Sequence, residues 1–137
     1  MKTVLGRFGK NKMLNLSFYR NKVILVTGHT GFKGSWLAKI LLMSGAKVIG
    51  YSLDAPTIPN LFSILGIKKD IVSIKGDVRD LKHLCKVFNK YQPEIVFHLA
   101  AQPIVRASYE LPVYTYDVNV MGTVNLCECV RLSKSVN

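Results

Sequence analysis

Acidic side chains are scarce. The 137-residue chain has 8 Asp and Glu against 19 Lys and Arg, an excess that would suit a polyanionic partner if it were evenly spread. It is not: residues 1–22 carry Lys2, Arg7, Lys10, Lys12, Arg20 and Lys22 with no acid, which leaves only +5 of the +11 net charge for the rest. No basic face interleaved with aromatics appears in that remainder, so no nucleic-acid partner is expected. Long apolar runs are also missing. No stretch reaches the roughly 18 uninterrupted residues of a membrane span, and charge interrupts MKTVLGRFGKNKMLNLSFYRNK too often for a secretory leader. A soluble, cytoplasmic chain with no membrane partner is expected, with residues 1–20 a poorly ordered basic extension and Met13 a second candidate start.

Cysteine is sparse too. Cys85, Cys127 and Cys129 fit a reducing compartment, and Cys127 and Cys129, two apart on a predicted helix, do not share a face, which favours neither a disulfide nor a metal pair. His29, His83 and His98 have no ligand spacing, so no zinc site is expected. What the chain does have is 49% apolar content, enough for the core of one domain, placed at residues 21–137.

Apolar segments alternate in type along that domain. Residues 22–27 (KVILVT), 47–53 (KVIGYSL), 70–75 (DIVSIK) and 94–101 (EIVFHLAA) are short and rich in β-branched residues, as strands buried on both faces are. Between them, residues 35–44 have helical length with Gly45 as a stop. Residues 55–60 (APTIPN) form a loop, and LFSILGI gives a turn or two of helix. Residues 81–91 place Leu81, Leu84, Val87, Phe88 and Tyr91 on one helical face behind an Asp80 cap. Residues 113–132 suit a final helix. The order β-α-β-(α)-β-α-β-α predicts an α/β fold, a Rossmann-type doubly wound parallel sheet in the order 3-2-1-4.

The turn after the first strand carries the chemistry. In VTGHTGFKGSWL the order Gly28, four residues, Lys33, Gly34, Ser35 exchanges the last glycine and the lysine of a P-loop, which misplaces the ammonium that must reach the β and γ phosphates. The same residues fit Gly28-x-x-Gly31-x-x-Gly34 between a strand and a helix. There Gly28 permits a tight turn, Gly31 admits a pyrophosphate to the backbone, and Gly34 lets helix and strand pack closely. Amide groups at the helix start hold the anion, so Lys33 is not required. Asp54, at the tip of the second strand and twenty residues past Gly34, is placed to accept hydrogen bonds from the adenosine ribose. Repulsion between its carboxylate and a 2′-phosphate is worth about 4 kcal/mol at 4 Å and an effective dielectric near 20, which predicts NAD over NADP.

These residues, with Asp77 in GDVRD, His98 to Gln102 in HLAAQ and Asn119 in NVMGT, resemble the extended short-chain dehydrogenase/reductase family. FYRNKVILVTGHTGFKGSWL, GYSLDAPTIPNLF and HLAAQPIVRASYELPVYTYDVNVMGTVNL are most similar to its dehydratases of CDP-glucose. The resemblance implies a tightly held NAD, a nucleotide-sugar substrate (CDP-glucose), its dehydration to CDP-4-keto-6-deoxyglucose, and a homodimer for the full-length protein. It implies cofactor contacts from Gly28, His29, Thr30, Gly31, Phe32, Lys33 and Gly34 on the pyrophosphate, Asp54 on the ribose and Asp77 with Val78 at the adenine. Leu99, Ala100, Ala101 and Gln102 would line the nicotinamide ribose, Arg106 and Ser108 on the following loop would face substrate, and Asn119 would support the site.

The family pairs a tyrosine with a lysine four residues later as its proton-transfer couple. None of the six tyrosines here has that lysine, and the sequence ends where a fifth strand is expected. The expectation is therefore an N-terminal part of a dehydratase, without its substrate domain or catalytic pair, that binds NAD. A non-catalytic NAD sensor on the same fold and another nucleotide-sugar dehydratase or epimerase of the family are the rival readings.

Overall fold

A computed structural model of the chain describes residues 16–136. Residues 1–15 of the expected basic extension, Met13 among them, lie outside the described residues. Ser17–Tyr19 form a 3-10 turn, and Tyr19 packs edge-on to Phe97 with ring centroids 6.3 Å apart.

Four strands follow, β1 (Val23–Thr27), β2 (Lys47–Ser52), β3 (Val72–Lys75) and β4 (Ile95–His98). They form one all-parallel sheet in the order β3-β2-β1-β4, with Val26 opposite Gly50 on one side and Phe97 on the other. The sequence order 3-2-1-4 is the observed one. Helices α1 (Phe32–Met43) and α3 (Leu81–Tyr91), and the short α2 (Leu61–Ile64), provide the crossovers.

Alternation along β1 divides the core. Leu25 joins Ile49 and Tyr51 on the face covered by Leu84, Val87 and Phe88 of α3 and by Val118 and Leu126. Ile24 and Val26 join Val48 on the opposite face, against Ala38 and Leu41 of α1, Phe62 and Ile67. Leu25, Ile24 and Val26 are fully buried, so a β1 of uninterrupted apolar residues serves both layers.

Local signals set the boundaries. Gly45, at φ +83°, ends α1 in a left-handed conformation. Asp80 caps α3 by accepting from the His83 amide at 2.9 Å. β4 is shorter than residues 94–101 because the chain leaves the sheet after His98. The segment after it is not the open loop expected: Val105–Glu110 form α4, where Arg106 and Glu110 meet one helical turn apart. The final helical stretch starts at Pro112 with α5 (Pro112–Tyr116), widens into a π-turn at Asp117–Met121 and continues as α6 (Gly122–Leu132). Such π-turns are frequent at functional sites. Among the described residues, no helix is long and apolar enough to cross a membrane.

Candidate functional site

The carboxyl ends of all four strands point to one edge of the sheet, and a chemically distinctive segment leaves each: Gly28 from β1, Asp54 from β2, Asp77 from β3 and Leu99 to Gln102 from β4. The crossover from β1 runs toward β2, whereas the one from β3 returns past β1 to β4, so the strand order reverses at β1, the place where open α/β sheets take ligands.

The glycine turn meets distinct steric demands. Gly28 has φ +72°, and a Cβ there would lie 2.8 Å from the Ala100 nitrogen. A Cβ on Gly34 would lie 2.1 Å from the Gly28 carbonyl oxygen, which no side chain survives. Gly31 differs, because a Cβ there would meet only the Gly28 oxygen, at 3.3 Å. That single contact makes Gly31 the least crowded of the three, as a backbone that admits a ligand requires. Gly31 also heads α1, and no side chain caps that end and no acid lies in its first turn. Its amide groups are left for an anion. The residues therefore fit the pyrophosphate of a dinucleotide: a cradle without Cβ atoms ahead of a bare helix start.

The side chains of the turn mostly face away from that space. Thr30 ties the turn to β2, with its hydroxyl 2.7 Å from Ser52 Oγ and donating to the Leu53 carbonyl at 3.0 Å. Phe32 and Lys33 are exposed. His29 turns inward and is buried. Its ring fills the place a side chain on Gly50 would take, 2.4 Å from an added Cβ. Nε2 meets Ser73 Oγ at 2.8 Å, and the ring stands edge-on to Phe62. Burial pulls its pKa down to about 4 against a weak opposing effect of the Tyr51 carbonyl. His29 is a neutral packing element here, and only its backbone can face a ligand.

Asp54 is exposed and forms an ion pair with Lys75 at the end of β3. Asp77 is held by Arg79, which donates to Oδ2 through its terminal nitrogen at 2.7 Å. Those bonds hold the Asp77 carboxyl below the usual carboxylate range. Arg79 also reaches Asp117 at 3.2 Å and lies over the Tyr114 ring. Val78 is buried against Gly122. A groove of about 480 Å³ opens beside Arg79, lined by Glu110, Leu111, Pro112, Val113, Tyr114 and Asp117, away from the glycine turn.

Thr27, which sequence reasoning did not single out, joins β1 to β4. Its hydroxyl oxygen accepts from the amides of Leu99 at 3.1 Å and Ala100 at 3.2 Å, and lies 2.7 Å from His98 Nδ1. Two amides occupy both lone pairs, so the hydroxyl hydrogen goes to Nδ1 and the imidazole proton sits on Nε2. Nε2 donates to Thr123 Oγ at 3.1 Å, and that hydroxyl donates to the Asn119 carbonyl at 2.7 Å. Burial lowers the His98 pKa, in keeping with this neutral tautomer. The signal in the sequence was a hydroxyl residue as the last of an apolar strand.

Asn119 holds Gln102 by both backbone groups: its Oδ1 accepts from the Gln102 amide at 2.8 Å and its Nδ2 donates to the Gln102 carbonyl at 3.1 Å. The π-turn thus fixes the loop after β4. Arg106 and Ser108 lie on α4, where Arg106 is exposed and paired with Glu110, and the Ser108 hydroxyl donates to the Val105 carbonyl at 2.6 Å. Both are engaged within their own helix.

Comparison with known proteins agrees with this geometry. The family model described as GDP-mannose 4,6 dehydratase matches residues 25–137. A CDP-glucose 4,6-dehydratase of Salmonella typhimurium is 53% identical over 119 residues, covering 87% of this chain and 33% of the relative. A GDP-mannose 4,6-dehydratase of Vibrio cholerae is 36% identical over 118 residues, covering 81% and 32%. The chain thus spans about a third of the length of the curated relatives it matches. Among solved structures, a Thermus thermophilus UDP-glucose 4-epimerase in complex with NAD superposes with a TM-score of 0.70 at 32% identity, over 80% of this chain and 34% of that one. The Brucella ovis enzyme with NAD gives 0.70 at 31%, over 83% and 33%. With a Rossmann-type sheet common to these epimerases and a family match across nearly all of that sheet, the chain belongs to the GDP-mannose 4,6 dehydratase family of nucleotide-sugar enzymes.

Proposed function

We propose that this chain is the NAD-binding part of a nucleotide-sugar 4,6-dehydratase whose substrate is CDP-glucose. The observation that carries the reading is the turn at Gly28 to Gly34, least crowded at Gly31 and leading into a bare helix start, with Asp54 at the neighbouring strand tip. The substrate class is supported by the 53% identity to a CDP-glucose 4,6-dehydratase, well above the 33–37% shared with the GDP-mannose enzymes.

In this reading the amides at the head of α1, Phe32 to Gly34, hold the pyrophosphate, the Gly31 amide being spent on the Gly28 carbonyl at 3.0 Å. Asp54 accepts from the adenosine ribose hydroxyls, which requires Lys75 to give up part of its ion pair. Asp77 and Val78 border the adenine. Leu99 to Gln102, fixed by Thr27 and Asn119, line the nicotinamide ribose. Bound NAD supplies a centre that accepts a hydride and later returns it. The protein's part is to keep that centre oriented and dry while residues outside this sequence handle the sugar.

Titration of the chain with NAD and NADP tests the cofactor assignment. Wild type should prefer NAD, and Asp54→Ala should erase most of that preference by admitting the 2′-phosphate next to Lys75. Equal affinity of wild type for both dinucleotides would overturn the role of Asp54. For substrate class, the full-length protein should release water from CDP-glucose and not from GDP-mannose; the reverse would refute the choice.

A further inference from the structure

The sequence pairs no cysteines, because Cys127 and Cys129 diverge on α6; the fold instead brings Cys129 to a third. Cys85 lies on α3 and Cys129 on α6, and their sulfurs are 2.8 Å apart. That is well inside ordinary contact between two sulfur atoms, and closing to a bond of about 2.05 Å asks for a shift of only about 0.8 Å. Cys129 is buried in the cluster that Leu84, Val87 and Phe88 form with the sheet. Cys85 is half-buried, and Cys127 is exposed on the other side of α6.

We propose that Cys85 and Cys129 are a site of oxidative modification, forming a reversible disulfide between α3 and α6 by exchange with a low-molecular-weight disulfide. Cys85 is the point of attack because it alone of the pair reaches solvent. Its thiolate displaces one thiol from the small disulfide and leaves a mixed disulfide on Cys85. The Cys129 sulfur then loses its proton, attacks the Cys85 sulfur and releases the second small thiol. The two protein thiols give up two electrons and two protons, and the small disulfide becomes two thiols. Burial and the neighbouring Cys85 push the Cys129 pKa up to about 12, which makes the second step slow, since only a thiolate attacks. The bond bridges residues 44 apart in sequence and ties α3 to the helix whose π-turn holds Gln102.

Incubating the chain with oxidised glutathione, quenching with acid, and cleaving after Glu128 separates Cys127 from Cys129 on different peptides. The expected product joins the Cys85 peptide to the Cys129 peptide, lacks the two thiol hydrogens, and reverts with dithiothreitol. Cys127→Ser, which removes only an exposed thiol, should give the same product in the same yield. A stable glutathione adduct on Cys85 with Cys129 still free, or a bond from Cys85 to Cys127, would overturn the proposal. So would full alkylation of both thiols in urea after the same incubation.

Discussion

Lowering the pH from 7 to 4 should weaken the fold through His29. In the folded chain its ring is enclosed by Gly50, Ser73 and Phe62, and its pKa falls from 6.5 to about 4. The unfolded chain takes up a proton near pH 6.5 and the folded chain does not. The stability that His29 contributes is therefore complete above pH 6.5, declines as pH falls from 6.5 to 4, and is gone below that. A difference of 2.5 pKa units corresponds to about 3 kcal/mol. His98, whose pKa burial also lowers, adds to the same window with the same sign. Asp77, whose pKa Arg79 holds down, begins to lose its contribution as pH falls to the ordinary carboxylate pKa, at the acid end of this window, and loses the rest below it. The assay is urea denaturation at half-unit pH steps for wild type and His29→Phe. Phenylalanine keeps a ring beside Gly50 and frees the exposed Ser73 hydroxyl to water. Wild type should lose about 3 kcal/mol more than His29→Phe between pH 6.5 and 4. Parallel curves for the two proteins would show that the ring titrates normally and that its enclosure is wrong.

The glycine turn separates folding from binding. Gly34→Ala drives a methyl to 2.1 Å from the Gly28 carbonyl oxygen and should cost about 3 kcal/mol or more, whereas Gly31→Ala, whose methyl meets that oxygen at 3.3 Å, should cost far less stability and lose most NAD affinity; equal thermal midpoints for the two variants would contradict this. Thr27→Val strands the Ala100 amide and His98 Nδ1 and leaves the Leu99 amide only its 3.2 Å bond to the Thr27 carbonyl, at a cost of about 2–4 kcal/mol in chemical denaturation. Asn119→Ala releases both backbone groups of Gln102; it should lower stability by about 1–2 kcal/mol and speed amide exchange at Gln102, which a merely local role would leave protected. Long-range nitrogen–proton NMR of the His98 ring should show the Nε2–H tautomer near pH 7, and an Nδ1–H form would break the hydrogen count at Thr27.

Much of this arrangement was legible in advance because it depends on local pattern. The short β-branched and the helical segments, the Asp80 cap and the Gly45 stop each act through their immediate neighbours, and β1 advertised a position buried on both faces by being apolar nearly throughout. The glycine spacing was legible for the same reason, since strand, turn and helix are consecutive. What the sequence hid depends on contacts between distant segments. That Gly50 exists to receive the His29 ring, that Thr27 serves amides 72 and 73 residues away, and that Lys75 neutralises Asp54 are facts of register. Short polar segments misled in a second way. Residues 105–110 lack an apolar stripe, so nothing announced α4, and Arg106 and Ser108 read as free loop side chains when each is engaged inside that helix.

The single oxygen of Thr27 has a mechanical effect on the edge of the sheet. Because it anchors the first two amides beyond β4 while sitting on the last residue of β1, the two lips of the crevice are pinned to one atom and can drift only together. Widening that gap breaks three contacts at once, so on the proposed reading a dinucleotide laid across it meets a jaw of set width rather than one that must first close.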